Sequence, residues 1–488
     1  MLISESTLPL LTLLAPLLAV PAILMARNPN IREAFTFLAG FLLLGTLLLM
    51  LPGVLAGNTP EIVLFPVIPG APIALRMDPA GMLFALVASV LWIITTAYAI
   101  GYMRTKQEQN QTRFYAFFAV SLFATMGAAM SANLLTLYLF YELLSFSTYP
   151  LVGHHQSDEA KSGARKYLTY LVSTSIGLAL PALLVTALLS GTLDFGGAPL
   201  LAGKVGPSAG AVLLVAFLLG FAKAALMPVH GWLPAAMVAP TPVSALLHAV
   251  AVVKVGAFCA VRVVTEVFGM EFLSSLGLGA IITGLAAVTM LVSSFTALTQ
   301  DGLKRRLAFS TIGQLSYIVL GIGMLNTVAA AGGILHIAMH AFGKITLFFC
   351  AGAIYVATGE KYISRMGGIG HRMPLTMLAF LIGSLAIIGV PPTGGFLSKW
   401  LLLNGSLLGD HWLLAGVLVV SSLLNAAYFL PIVYKAWFCT PAEAQHTGPM
   451  REAPTWCLVP LLGTAALSVG VFFYQETLTT LATMAARF

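Results

Sequence analysis

Eight residues able to hold a proton interrupt sequence that is otherwise apolar on both sides of them: Glu142, Lys223, His248, Lys254, His336, His340, Lys344 and Lys399. Of the 17 acidic residues, sixteen fall in or near connections and termini, which leaves Glu142 in the middle of an apolar run. A charge at bilayer depth costs about 2.5 to 3.5 kcal/mol on insertion scales, so such groups face protein or water. Taken singly each has a plainer explanation, because a lysine can snorkel to an interface and a histidine can tie two helices together. Five charges in one chain imply instead a shared buried polar path. His336, His340 and Lys344 are spaced i, i+4, i+8 and therefore share one helix face, as a ladder of proton carriers. His248 and Lys254 differ by six positions, which an unbroken helix would turn to different faces, so a local distortion is expected between them.

The elements that position these groups follow from composition. Of 488 residues 59% are hydrophobic and 8% are charged, which excludes an ordinary water-soluble domain. Runs of 18 or more apolar residues recur throughout, each long enough to cross a hydrocarbon core of about 30 Å as a helix. Fourteen are read, roughly over 7–26, 35–56, 80–102, 113–131, 133–152, 167–190, 208–227, 241–265, 273–299, 307–325, 327–357, 374–403, 411–438 and 454–484. They are continuously apolar, unlike the alternating strands of a membrane barrel. The fold class is therefore all-α and polytopic.

Charge placement tests the count, since cytoplasmic loops hold the excess of Lys and Arg. Sixteen of the 24 basic residues fall in odd-numbered connections, among them Arg32, Arg104, Arg113, the run Lys304–Arg306 and Lys361; Arg76, Lys204 and Arg262 fall in even ones. The alternation predicts odd connections in the cytoplasm and both termini on the far side. The net charge of +7 then needs no nucleic acid partner. Cys259, Cys350, Cys439 and Cys457 are scattered, so neither a metal cage nor an iron–sulfur cluster is expected, and no cofactor is assigned. No basic residue precedes Arg27, so the first helix is expected to stay rather than be cleaved as a signal.

Two spans carry breaks at comparable places. The seventh contains Met227-Pro228, and the twelfth contains Gly389-Val390-Pro391-Pro392 followed by Gly394 and Gly395. Proline removes a helical donor and clashes with the preceding turn. Each break lies close to an intramembrane lysine, Lys223 before Pro228 and Lys399 after Pro391 and Pro392. Paired interruptions point to an ion pathway between structural repeats. The expected division is 1–112 for helices one to three, 113–270 and 271–440 for two inverted five-helix repeats, and 441–488 for the last helix. Trp232 and Pro234 are read as shaping a re-entrant turn. The connection from His154 to Lys166, with His155, Asp158 and Glu159, is either a proton-collecting surface or simply a solvated loop.

The strings YELLSFSTYPLVG from Tyr141, MPVHGWLPAAMVAPTPVSALLHAVAVVKVG from Met227, DGLKRRLAFSTIGQLSYI from Asp301, HAFGKITLFF from His340 and VPPTGGFLSKW from Val390 carry a resemblance. They resemble, in the same order, the proton-translocating membrane subunits shared by Mrp-type cation/proton antiporters, respiratory complex I and membrane-bound hydrogenases. The resemblance covers most of the chain. It implies fourteen helices, inverted repeats, discontinuous seventh and twelfth helices and a central hydrophilic axis. It assigns Glu142 to the fifth-helix glutamate, Lys223 to the seventh-helix lysine, His248 and Lys254 to an eighth-helix relay, and Lys399 to the terminal group of the twelfth. His336, His340 and Lys344 match the run that links the two halves. With no long lateral helix after the fourteenth, the chain looks most like the D-type Mrp subunits.

The functional expectation is a proton-translocating subunit of a multisubunit monovalent cation (sodium)/proton antiporter in the cell's inner, or plasma, membrane, with other membrane subunits as partners. Lys223 is expected to alternate between a charged state paired with Glu142 and a neutral state after handing its proton toward Lys254 and His248. Three alternatives use the same residues differently: a redox-driven pump subunit of an NADH-quinone oxidoreductase or hydrogenase, a standalone solute transporter, and an inert scaffold. No glycine-rich nucleotide loop is visible, so electron transfer would belong to other chains.

Overall fold

The computed structural model describes residues 5–68, 70–438 and 449–487. Cys439 and the expected boundary after residue 440 lie outside the described residues. With so few polar groups along each run, the backbone satisfies itself within helices, as lipid demands. Their starts are set by side chains that take over the first free N–H groups. Asn28, Asp78, Asn133, Ser157 and Asn326 each accept from the backbone N–H two or three residues on.

In chain order the helices are α1 (Leu8–Met25), α2 (Pro29–Leu55), α3 (Pro79–Thr105), α4 (Gln111–Ala129), α5 (Leu134–Val152), α6 (Asp158–Ser190), α7 (Pro207–Gly220), α8 (Thr241–Phe268), α9 (Gly279–Thr299), α10 (Leu303–Gly323), α11 (Thr327–Thr358), α12 (Pro374–Ile388), α13 (Gly394–Leu408), α14 (Trp412–Phe438), α15 (Thr455–Phe473) and α16 (Glu476–Ala485). Among the described residues ten helices are long and apolar enough to cross a membrane by length and composition, and α7 and α12 are shorter apolar helices. Helices α5 and α10 carry Glu142 and the Lys304–Arg306 run.

Three details differ from the sequence reading. Residues 61–76 form an antiparallel hairpin, β1 (Glu61–Ile68) with β2 (Ala71–Arg76), Glu61 opposite Arg76. The interval 454–484 is two helices, and α16 buries Leu481, Ala482 and Ala485 against α3 and α11. Much of the presumed loop from 154 to 166 is helix, because Ser157 caps α6 at Asp158. His154 itself is buried, with neither ring nitrogen partnered. Burial pushes its pKa down to about 4, more than nearby Glu108 raises it. It is therefore held neutral near pH 7.

A histidine that folds neutral destabilises the protein once the unfolded chain can take the proton. Stability is thus expected to fall between about pH 6.5 and pH 4 and to level off below. His154→Phe should flatten that segment of a plot of Tm against pH; an unchanged slope would show that other groups set it.

Helix α11 is the centre of the molecule. Every residue from Ala329 to Ile354 is buried, as expected for a helix that is apolar around most of its circumference. The connections sort into two ends. At one end Ala132 N–H donates to Ala74 O (3.1 Å), Leu134 N–H to Leu193 O (3.0 Å) and Leu201 N–H to Val267 O (2.8 Å), which gathers the hairpin, the α4–α5 and α6–α7 connections and the end of α8. At the other, Leu303 N–H donates to Lys361 O (3.0 Å) and Arg451 N–H to Arg372 O (2.8 Å). Loops that charge assigns to one side do meet one another.

Arg262 is a correction. It lies inside α8, 3% exposed, on Asp78 (2.5 Å) and Glu266 (3.3 Å). Glu33 is likewise buried at the start of α2 between Arg32 and Arg104.

Candidate functional site

Both expected breaks interrupt helix. Helix α7 ends at Gly220, a 3₁₀ turn carries Ala222–Ala224, and Ala225 adopts φ +56°. Helix α12 ends at Ile388 with Gly389 at φ +90°, and α13 restarts at Gly394. The Met227-Pro228 and Pro391-Pro392 bonds are both cis. A glycine seats each break. A Cβ on Gly256 of α8 would fall on Ala224 N and Lys223 C, and one on Gly395 would fall on Ala386 O, all far inside contact distance. Trp232 is fully buried and its Nε1 donates to Ala222 O at 2.9 Å, pinning the first break.

Lys223 is fully buried, and its Nζ donates to Tyr141 O (2.6 Å) and Ser145 Oγ (2.6 Å). It makes no ion pair with Glu142, so of the two states expected to alternate the structure holds the unpaired one. Consecutive residues on a helix point about 100° apart, so the face of α5 that meets Lys223 presents Tyr141 and turns Glu142 aside. Glu142 Oε1 is buried without a partner.

On α8 a π-helical turn, Leu246–Val250, is followed by Ala251 at φ −110°, ψ −80°, so the helix is interrupted between His248 and Lys254. His248 stacks on Phe348 (centroids 4.9 Å apart), and neither of its ring nitrogens has a partner. Lys254 Nζ contacts His340 Nδ1 at 2.6 Å. The rings of His340 and His336 lie 5.9 Å apart at 18°. His336 reaches Ser398 Oγ (2.8 Å) and Gln314 Oε1 (3.1 Å).

Lys344 and Lys399 are joined through side chains that the sequence reading did not single out. Lys344 Nζ donates to Ser310 Oγ (2.7 Å), and Tyr428 donates to the same oxygen (2.9 Å). Tyr428 is also bonded to Asn425, whose amide donates to Ile387 O (3.4 Å). Lys399 Nζ donates to Ile387 O (2.8 Å), Ile388 O (3.1 Å) and Ser422 Oγ (3.2 Å). The break frees those last carbonyls of α12 from intrahelical bonds, and an ammonium is a fitting partner. Lys399 lines a cleft of about 370 Å³ with Tyr317, Trp400 and Ser422.

The eight candidate residues thus fall into groups joined by hydrogen bonds or ring stacking, with gaps between them. Lys254, His340 and His336 form one row, Lys344 and Lys399 are bridged, and Glu142, Lys223 and His248 each stand apart. Tyr141 with Ser145 and Ser310 with Gln314 are pairs at i, i+4, a spacing too common among membrane helices to single them out.

A family model described as NADH:quinone oxidoreductase/Mrp antiporter, TM, matches residues 131–425. The chain belongs to this family. All eight candidate residues and the three break prolines fall inside the matched interval of this antiporter-like membrane subunit. NADH-quinone oxidoreductase subunit N of Desulforudis audaxviator is 33% identical over 500 residues, 96% of each chain. A probable K(+)/H(+) antiporter subunit of Rhizobium meliloti is 33% identical over 416 residues, 82% of this chain and 40% of that one. In structure, a chain of the Mrp complex from Dietzia sp. aligns with a TM-score of 0.87 at 22% identity, covering 99% of this chain and 97% of that one. A chain of the membrane-bound sulfane sulfur reductase, an archaeal respiratory membrane complex, gives 0.85 at 23%, with the same coverage. Those two likenesses speak to the fold, a helical, multi-pass membrane protein.

Proposed function

We propose that this subunit moves protons across the cell's inner membrane within a multisubunit Mrp-type monovalent cation (sodium)/proton antiporter, alongside other membrane subunits. The observation that carries the reading is the row Lys254–His340–His336 with the Lys344–Lys399 bridge, built of titratable and polar groups inside an otherwise apolar interior. Such groups are expensive at this depth unless they work. Helices α4 to α8 and helices α9 to α14, with α12 and α13 as the two halves of one broken span, are taken as two inverted five-helix repeats. The cation-rich loop end is taken as cytoplasmic, with both termini opposite.

In this mechanism Lys223 rests on Tyr141 and Ser145 and swings toward Glu142 when it is to hold its proton. A carboxylate at about 5 Å, with an effective dielectric of about 20, favours the charged lysine by about 3 kcal/mol, or about two pKa units. Moving one charge against 100 mV costs about 2.3 kcal/mol. Making and breaking one ion pair is therefore comparable with one transport step.

A second reading, a proton-pumping subunit of a redox-driven NADH-quinone oxidoreductase, is favoured by the match to subunit N over nearly all of both chains. One experiment separates the two. Sodium-driven proton movement is measured in inverted vesicles holding the native complex, with Lys223→Ala and Glu142→Gln at matched expression. The antiporter reading expects exchange without an electron donor and its loss in both variants. Proton movement only on adding a donor would move the chain to the redox class, and exchange surviving both substitutions would remove the pair from the pathway.

A further inference from the structure

The groups described so far give the axis no opening at the cation-rich end, and Lys304 stands there. Sequence reading places it among the loop cations. In the structure it begins α10, partly exposed, with its ammonium turned inward to donate to Ala239 O at 2.5 Å. Ala239 belongs to the segment that leads into α8 at Thr241. Among the described residues no carboxylate lies within ion-pair distance of Lys304.

Two independent observations place the axis next to it. One turn further along α10, Leu307 O and Ser310 Oγ accept from Lys344. His248, seven residues into α8, is fully buried with both ring nitrogens unpartnered, and Lys344 and Lys304 are the charges whose fields act on it. Buried imidazole nitrogens without partners are rare and call for a bridging water or a functional role. The titratable groups that act on Lys304 or on which it acts are thus His248 on α8 and Lys361 on the connection after α11, and Lys344 of α11 reaches α10 one turn on, at Leu307 O.

We infer that Lys304 is the proton-uptake residue of the axis, exchanging with solvent at the cation-rich end and passing protons to His248 and Lys344 through water. The step is a proton relay: the Lys304 ammonium gives up a proton that a ring nitrogen of His248 accepts, and Lys304 is reprotonated from bulk water. A structural role would need only the hydrogen bond to Ala239, which an arginine also makes. A relay needs a group that lets go of its proton, which an arginine does not do.

This inference rests on the proton-translocating reading, and the test separates the two. Native complexes in inverted vesicles are compared for wild type, Lys304→Arg, Lys304→Cys and Lys223→Ala, at matched assembly. Lys304→Arg and Lys304→Cys are expected to lose at least about tenfold in proton-movement rate. Treating the cysteine variant with 2-aminoethyl methanethiosulfonate, which puts an ammonium back at similar length, should restore most of the rate, while methyl methanethiosulfonate should not. Wild-type rate in Lys304→Arg, or no restoration by the aminoethyl reagent, overturns the uptake role. If Lys223→Ala fails while Lys304→Arg is normal, the functional reading stands and this inference falls. If Lys223→Ala also transports normally, both fall.

Discussion

Lys254→Leu is expected to lower the proton-movement rate of the assembled complex by about a hundredfold or more, while leaving assembly intact. Proton transfer by one positioned side chain is worth about 10² to 10⁴ in rate where it is required. Lys254 is the hydrogen-bonded partner of His340, whose other ring nitrogen is already unpartnered, so the leucine removes the contact that links the histidine row to Lys254 in the proposed pathway. Replacing a buried charge by an apolar side chain of similar volume is often neutral or stabilising. Loss of transport with an unchanged Tm would therefore report on the pathway rather than on the fold. Lys254→Arg should be similarly slow, because it keeps a charge that does not leave. The readout is quenching of a pH-sensitive acridine dye in vesicles, and a Lys254→Leu rate within threefold of wild type would remove Lys254 from the route.

Gly256→Ala should have the opposite signature, with stability and transport falling together. The added methyl meets the backbone of Lys223 and Ala224 rather than the end of a flexible side chain, so the 3₁₀ turn must move away from α8. Overpacking of this kind costs about 1 to 3 kcal/mol. The displaced turn carries the Lys223 ammonium away from Tyr141 O and Ser145 Oγ. Gly395→Ala should repeat the effect at the second break, where the methyl meets Ala386 O. Thermal unfolding of the purified complex read beside vesicle transport checks both. A stable, active Gly256→Ala protein would show that the first break tolerates a shift and does not position Lys223 closely.

The groups that charge makes conspicuous were legible from the chain alone. An ionisable residue in an apolar run stands out by its cost, and spacing put His336, His340 and Lys344 on one face, which α11 presents to its neighbours. Proline and glycine marked both interruptions for the same reason, since neither continues a helix cheaply. What joins the carriers was not legible, because Ser145, Ser310, Asn425 and Tyr428 are ordinary residues in a membrane helix and matter only through what stands opposite. The direction of the Lys223 ammonium was missed because a carboxylate next in sequence to the contact residue is not next in space. The hairpin at 61–76 hid behind Pro66 and Pro72, which argue against a ladder. Arg262 and Glu266 hid because Arg262 pairs with both Glu266 and Asp78 at the margin of a span, where a charge looks like the start of a loop.

The short halves of the broken helices bear on how the protein is made. Helix α7 has 14 residues and α12 has 15, so at 1.5 Å per residue they reach about 21 to 23 Å, less than the hydrocarbon thickness. Neither half can be parked alone in lipid, where its exposed terminal carbonyls and amides and the lysine at its break would go unsatisfied. During synthesis each must wait beside the insertion machinery until the helices that seat its break have emerged: α8 with Gly256 for the first, and α13 and α14 for the second. A ribosome stalled before residue 256 would thus hold a chain whose seventh segment has no stable place in the bilayer, which makes that stretch a point for quality-control proteases to recognise an orphaned chain.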